Sequence, residues 1–152
     1  MTSVISDRVG IRKAARDVLT EGLDDTTTVS YGLPKADQEQ NPDEWVGVGT
    51  ISGELSTVRF GGGGAGTQDS FRLRIGVRVQ IDGADQEQAD ERCQVIVTDA
   101  LDLLLKPPRL NLPNVAVRGG TVEGPDGSPT DGSSAVSEAL IEVQITAPLA
   151  GS

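Results

Sequence analysis

Residues 71–82, FRLRIGVRVQID, alternate without a break. Phe71, Leu73, Ile75, Val77, Val79 and Ile81 share one parity; Arg72, Arg74, Arg78, Gln80 and Asp82 share the other. A period of two over this length predicts a strand with one buried face. The same kind of pattern marks residues 26–34, where Val29, Tyr31 and Leu33 alternate before Pro34. It marks residues 45–60 as well, but there the apolar phase changes twice, predicting bulges near Gly49 and near Ser56. A strand that bends in this way suits a curved sheet. Residues 114–123 and 138–147 predict a closing pair of strands.

Helical spacing appears twice. In residues 4–21, Val4, Ile11, Ala15 and Val18 recur on one side, and Gly22 is placed as the residue just past the C-terminus. In residues 85–106, Ala89, Cys93, Ile96, Ala100, Leu103 and Leu104 form a stripe that Val97 and Leu101 widen. Asp85, Glu87, Asp90 and Glu91 crowd its first turns, where carboxylates complement the helix dipole, and Lys106-Pro107-Pro108 ends it. The element order is therefore α-β-β-β-α-β-β. It predicts a single α+β domain over residues 1–152: a curved, mainly antiparallel sheet of about five strands, with two helices packed on one face. Flexible loops are expected at 35–44, 61–70 and 124–137, where glycine, serine, proline and polar residues concentrate.

Composition narrows the chemistry. The chain of 152 residues carries 23 acidic and 13 basic side chains, a formal charge of −10. Such a balance argues against a generic nucleic-acid binder and against adhesion to anionic membranes. No apolar run approaches the ~20 residues of a membrane span, and the N-terminus shows no stretch of signal-peptide length, so synthesis without export is expected. There is no histidine, which removes the commonest general base and metal ligand. Cys93, the single cysteine, falls on the apolar stripe of the second helix and reads as a buried structural thiol. The glycine run 61–64 lacks the Lys-Ser/Thr of a phosphate loop and precedes a strand rather than a helix. The paired carboxylates Asp24-Asp25, Asp43-Glu44 and Asp90-Glu91 read as turn, loop and helix-surface residues, and no segment has the pattern of a calcium loop. No catalytic residue, cofactor site or metal site is assigned, and a non-enzyme is expected.

What remains is the basic stripe of Arg72, Arg74 and Arg78 in an acidic chain, its outer members roughly 20 Å apart at ~3.3 Å per residue. Cross-strand pairing with acids of the same sheet, such as Glu54 or Glu142, is one account. Contact with acids of a neighbouring subunit is another, a role that suits the planar, weakly hydrated guanidinium. Direct DNA binding is a third, opposed by the overall charge. The stripe stands as a candidate subunit-interface or lumen face.

The short N-terminal helix, the strand ending in Tyr31-Gly32-Leu33-Pro34 and the block DSFRLRIGVRVQIDGADQEQADERCQVIVTDALDLLL, with ALIEVQITA closing the sheet, resemble the tail terminator proteins of long-tailed bacteriophages. The resemblance is one of pattern and element order over about residues 4–147. It implies a structural virion protein: a homo-oligomeric ring, typically of six subunits, that caps the tail tube, ends its elongation and offers the head-joining surface. The implied partners are the tail tube protein and a head-completion or connector protein, with DNA passing through without specific binding and no membrane contact. The implied location is the tail end or neck of the virion, after assembly in the host cytoplasm. Six copies would carry roughly −60, which disfavours retention of passing DNA. The alternatives are another neck component, such as a head-completion or adaptor protein; a small binding module holding a ligand on the sheet; and an enzyme working with carboxylates alone.

Overall fold

The computed structural model describes residues 6–32, 43–52, 68–83, 85–106, 109–112, 114–128 and 134–148. The elements run α1 (Arg8–Gly22), β1 (Thr28–Tyr31), β2 (Glu44–Ser52), β3 (Gln68–Asp82), α2 (Gln86–Leu105), β4 (Ala116–Ser128) and β5 (Ser134–Pro148), with a short 3-10 turn at Arg109–Asn111 before β4. The expected order and the α+β class hold. The strands form one open sheet in the order β1-β2-β3-β5-β4. Only the β1–β2 pair is parallel; the other pairs are antiparallel.

Strand β3 lies at the centre because both of its edges are paired along most of its length and its even alternation gives the sheet its two faces. Leu73, Ile75, Val77 and Val79 point to the helix side, together with Val46 and Val48 of β2 and Ile141, Val143 and Ile145 of β5; all are buried. Burying an aliphatic side chain of this size contributes about 1.5–3 kcal/mol. Helix α1 covers this face with Ile11, Ala15 and Leu19, and α2 with Ala89, Cys93, Ile96, Val97, Ala100 and Leu104. In α1 the buried stripe runs through Leu19, not Val18, which is only half-buried.

Gly22 is the last residue of α1, not the one beyond it. Leu23 caps the helix in an extended conformation. The glycine is there for packing, since a Cβ on Gly22 would lie 2.3 Å from Leu103 Cδ2 of α2. Helix α2 starts as its sequence indicates. Gly83 turns the chain with φ of 71°, and Asp85 closes a capping box with Gln88.

The bulge expected near Gly49 is present, as a register shift between Val48 and Ile51. The one expected near Ser56 lies outside the described residues, as do 35–42, 61–67 and 129–133 of the expected loops. The remaining loop boundaries need correction. Glu44 opens β2, residues 68–70 open β3, and most of 124–137 is sheet: Asp126, Gly127 and Ser128 pair with Glu138, Ser137 and Val136. The Gly-Pro pair that looked like a loop signal sits instead in the second of two β4 irregularities, between Glu123 and Asp126; the first lies between Arg118 and Thr121. Proline and irregular register are tolerated there because β4 is an edge strand.

Two polar clamps tie the helices to the sheet. Asp69, fully buried at the start of β3, accepts hydrogen bonds from the Ser6 backbone N–H (3.0 Å), the Ser6 hydroxyl (2.8 Å) and Arg8 Nε and Nη2 (2.8 Å each). Arg8 also lies over the Phe71 ring. Glu44, at the start of β2, accepts from Arg92 Nε (2.6 Å) and Nη2 (2.8 Å) of α2 and from Thr27 (3.0 Å). Arg92 holds the Glu44 carboxyl below its ordinary range against the opposing effect of burial, with Thr27 assisting.

Breaking a buried, multiply bonded carboxylate is costly, so Asp69→Asn should lower stability by about 2–4 kcal/mol. Its melting midpoint should fall by about 5–15 °C in a thermal scan. The depressed Glu44 pKa has a definite sign. Its contribution to stability is complete above the ordinary glutamate value of about 4.3 and is lost as pH falls from there through the lower folded value. In urea titrations, the stability gap between the wild type and Glu44→Gln should be widest near neutral pH and should shrink below about pH 4.

Candidate assembly face

The sheet face turned away from the helices carries the arginine stripe. Register places its residues in cross-strand rows. One row is Arg72, Gln144 and Arg118; the next is Arg74, Glu142 and Thr121. A third is Gly47, Gly76, Leu140 and Glu123, and a fourth is Trp45, Arg78, Glu138 and Asp126.

The three arginines that the sequence groups together differ in environment. Arg72 is exposed and, like Arg118 beside it, makes no ion pair or hydrogen bond among the described residues. Arg74 is held within the sheet, its Nε donating to Glu142 Oε1 at 2.9 Å. That is the cross-strand pairing that sequence pattern suggested. The pair is partly exposed and contributes at most about 1 kcal/mol. Glu54, the other suggested partner, lies outside the described residues.

Arg78 is not a surface residue. Only 6% of it is exposed, between Trp45 on β2 and Glu138 on β5. Trp45 is itself 7% exposed and fixed by its indole N–H, which donates to Ser30 Oγ at 2.6 Å. Yet Arg78 Nε and Nη1 have no hydrogen-bond partner among the described residues. A buried donor left in this state costs about 1–3 kcal/mol relative to a satisfied one.

Beside Arg78 the open face has a hollow of about 280 Å³, walled by Arg78, Glu123, Gly124, Asp126 and Glu138, with Gly76 and Leu140 in its floor. Gly76 and its cross-strand neighbour Gly47 bring no side chain to this part of the face. Asp126 could not be assigned to this place from sequence, because 124–137 reads as a loop, and the strands holding Glu123 and Glu138 could not be set in register. Their grouping follows from the register of β4 on β5.

No chemistry of other kinds gathers among the described residues. No group of three metal-ligating side chains is present, and no helix is long and apolar enough to cross a membrane. Cys93 lies buried between α2 and β5, and desolvation pushes its thiol up to about 11. At neutral pH that thiol is protonated and a poor nucleophile. No known family matches the chain, and no curated protein matches it in sequence.

Replacing a buried, unsatisfied cation with an apolar side chain of similar length removes its desolvation cost. Arg78→Met should therefore stabilise the isolated subunit by about 1–3 kcal/mol. Chemical denaturation of the dilute protein measures this, with Arg72→Gln, an exposed control, expected to change stability by less than about 0.5 kcal/mol.

Proposed function

We propose that this protein is a structural component of a bacteriophage tail, forming a ring that caps the tail tube, ends its elongation and provides the surface for joining the head. The observation that carries this reading is the two-sided build of the sheet. One face is consumed by α1 and α2. Among the described residues, the other keeps a buried arginine with two unsatisfied donors, exposed arginines without ion pairs at one end and a carboxylate-walled hollow at the other. A surface of that kind is suited to recognition by a macromolecule.

The element order and the arrangement of strand, capped acidic-start helix and closing strand pair support the same reading through their resemblance to tail terminators. The long edge strand β4 adds to it. Its outer backbone edge is available to a neighbour, while its two irregularities guard against indiscriminate pairing. In this role no side chain performs catalysis and no cofactor is required. Passing DNA meets a negatively charged assembly that does not retain it.

Sedimentation velocity and negative-stain microscopy test the proposal. A closed ring, expected with six subunits, should form in solution or on purified tail tubes, and its addition should arrest tube elongation. A protein that remains monomeric over a wide concentration range and neither binds nor caps tubes would overturn it.

A further inference from the structure

The hollow beside Arg78 makes two demands on an occupant. Arg78 needs hydrogen-bond acceptors for Nε and Nη1, which have no partner among the described residues. The remaining wall is acidic, with the carboxylates of Glu123 and Asp126 exposed beside the one guanidinium. An anion would satisfy Arg78 but be repelled by the wall. A simple cation would suit the wall but leave Arg78 unpaired. A peptide segment that brings backbone carbonyls together with a basic side chain answers both.

The chain itself carries such a segment. Arg118, Gly119 and Gly120 are exposed on edge strand β4, at the first of its irregularities. Arg118 has no partner among the described residues. The two glycines differ in an informative way. Gly120 is required by the fold, because a Cβ there would fall 1.6 Å from the Glu142 carbonyl oxygen. Gly119 is not, since a Cβ there meets nothing within 4 Å. A glycine that the subunit's own packing does not demand, next to an unpaired arginine, leaves a slim and approachable backbone.

We infer that the hollow walled by Arg78, Glu123, Asp126 and Glu138 receives the Arg118-Gly119-Gly120 segment of a second copy of this chain. The guanidinium of the incoming Arg118 meets Asp126 and Glu123, and carbonyls of its glycines accept from Arg78. Size is compatible: an open hollow of about 280 Å³ has room for one side chain and its adjoining backbone. Donor and receptor cannot meet within one subunit, because their rows lie six residues apart along β5, from Gln144 to Glu138, or about 20 Å. As two different patches of the same chain, they can repeat the contact from copy to copy, and the repeat closes into a ring when the rotation between copies closes.

This inference rests on the assembly reading above, and its test separates the two. Arg118→Glu and the double change Glu123→Arg with Asp126→Arg each reverse one side of the contact at exposed positions, with circular dichroism confirming the fold. Each variant alone should self-associate at least about tenfold more weakly than the wild type, the order of effect seen for close interfacial charge pairs. An equimolar mixture of the two should regain assembly, because Glu at 118 then faces Arg at 123 and 126. Gly119→Val should fold normally and still assemble poorly. Arg78→Met should weaken assembly although it does not weaken the subunit. Wild-type rings matched by unaltered rings from these variants would overturn the contact and leave the assembly reading in place. A wild type that stays monomeric in solution and neither binds nor caps tail tubes would overturn both.

Discussion

The pairing of β3 with β5 is the constraint on which the rest depends. Every residue from Gln68 to Asp82 faces a residue between Pro148 and Ser134, without a break in register. Because side chains alternate with a period of two, this single register decides both faces at once. It sets Leu73 against Val143 and Ile75 against Ile141 under the helices. It equally sets Arg74 against Glu142 and Arg78 against Glu138 on the open side. A slip of one residue would turn the arginines into the core, at a desolvation cost that aliphatic burial could not offset.

The helices follow from that register. Once β3 and β5 present a continuous aliphatic face, α2 has one stripe with which to cover it, and α1 covers the β1–β2 side. The two clamps sit where packing alone would leave orientation loose. Asp69 anchors the entry to α1 at the start of β3, and Glu44 anchors α2 at the start of β2. Each uses a charge-assisted bond to arginine, stronger than a neutral one and directional. The helix side of the sheet is thus occupied by the chain's own helices, and the opposite side carries the charged residues.

On that side the structure gives up stability. Arg78 is buried beside Trp45, yet its Nε and Nη1 find no acceptor among the described residues, and Glu123, Asp126 and Glu138 line the adjoining hollow. The unsatisfied donors of Arg78 raise the free energy of a lone subunit, and acceptors brought to them from outside would lower it.

Much of this was written in local pattern. The alternation of residues 71–82, the helical stripe of 85–106 with Asp85 ahead of it and the phase change near Gly49 each depend on neighbours in sequence, so each could be read directly. The Arg74–Glu142 pair was also within reach, because two alternating strands offer few registers. The acidic hollow was not. Gly124-Pro125-Asp126-Gly127-Ser128 has the composition of a loop, and only pairing with β5 pulls these residues into an edge strand beside Glu138. Gly22 misled for a similar reason: it serves contact with Leu103 of another helix rather than local backbone conformation. Above all, parity along β3 made Arg72, Arg74 and Arg78 equivalent. Burial depends on what the neighbouring strands bring to each row. Trp45 and Glu138 flank Arg78, while Gln144 and Arg118 leave Arg72 in the open, and that distinction exists only in three dimensions.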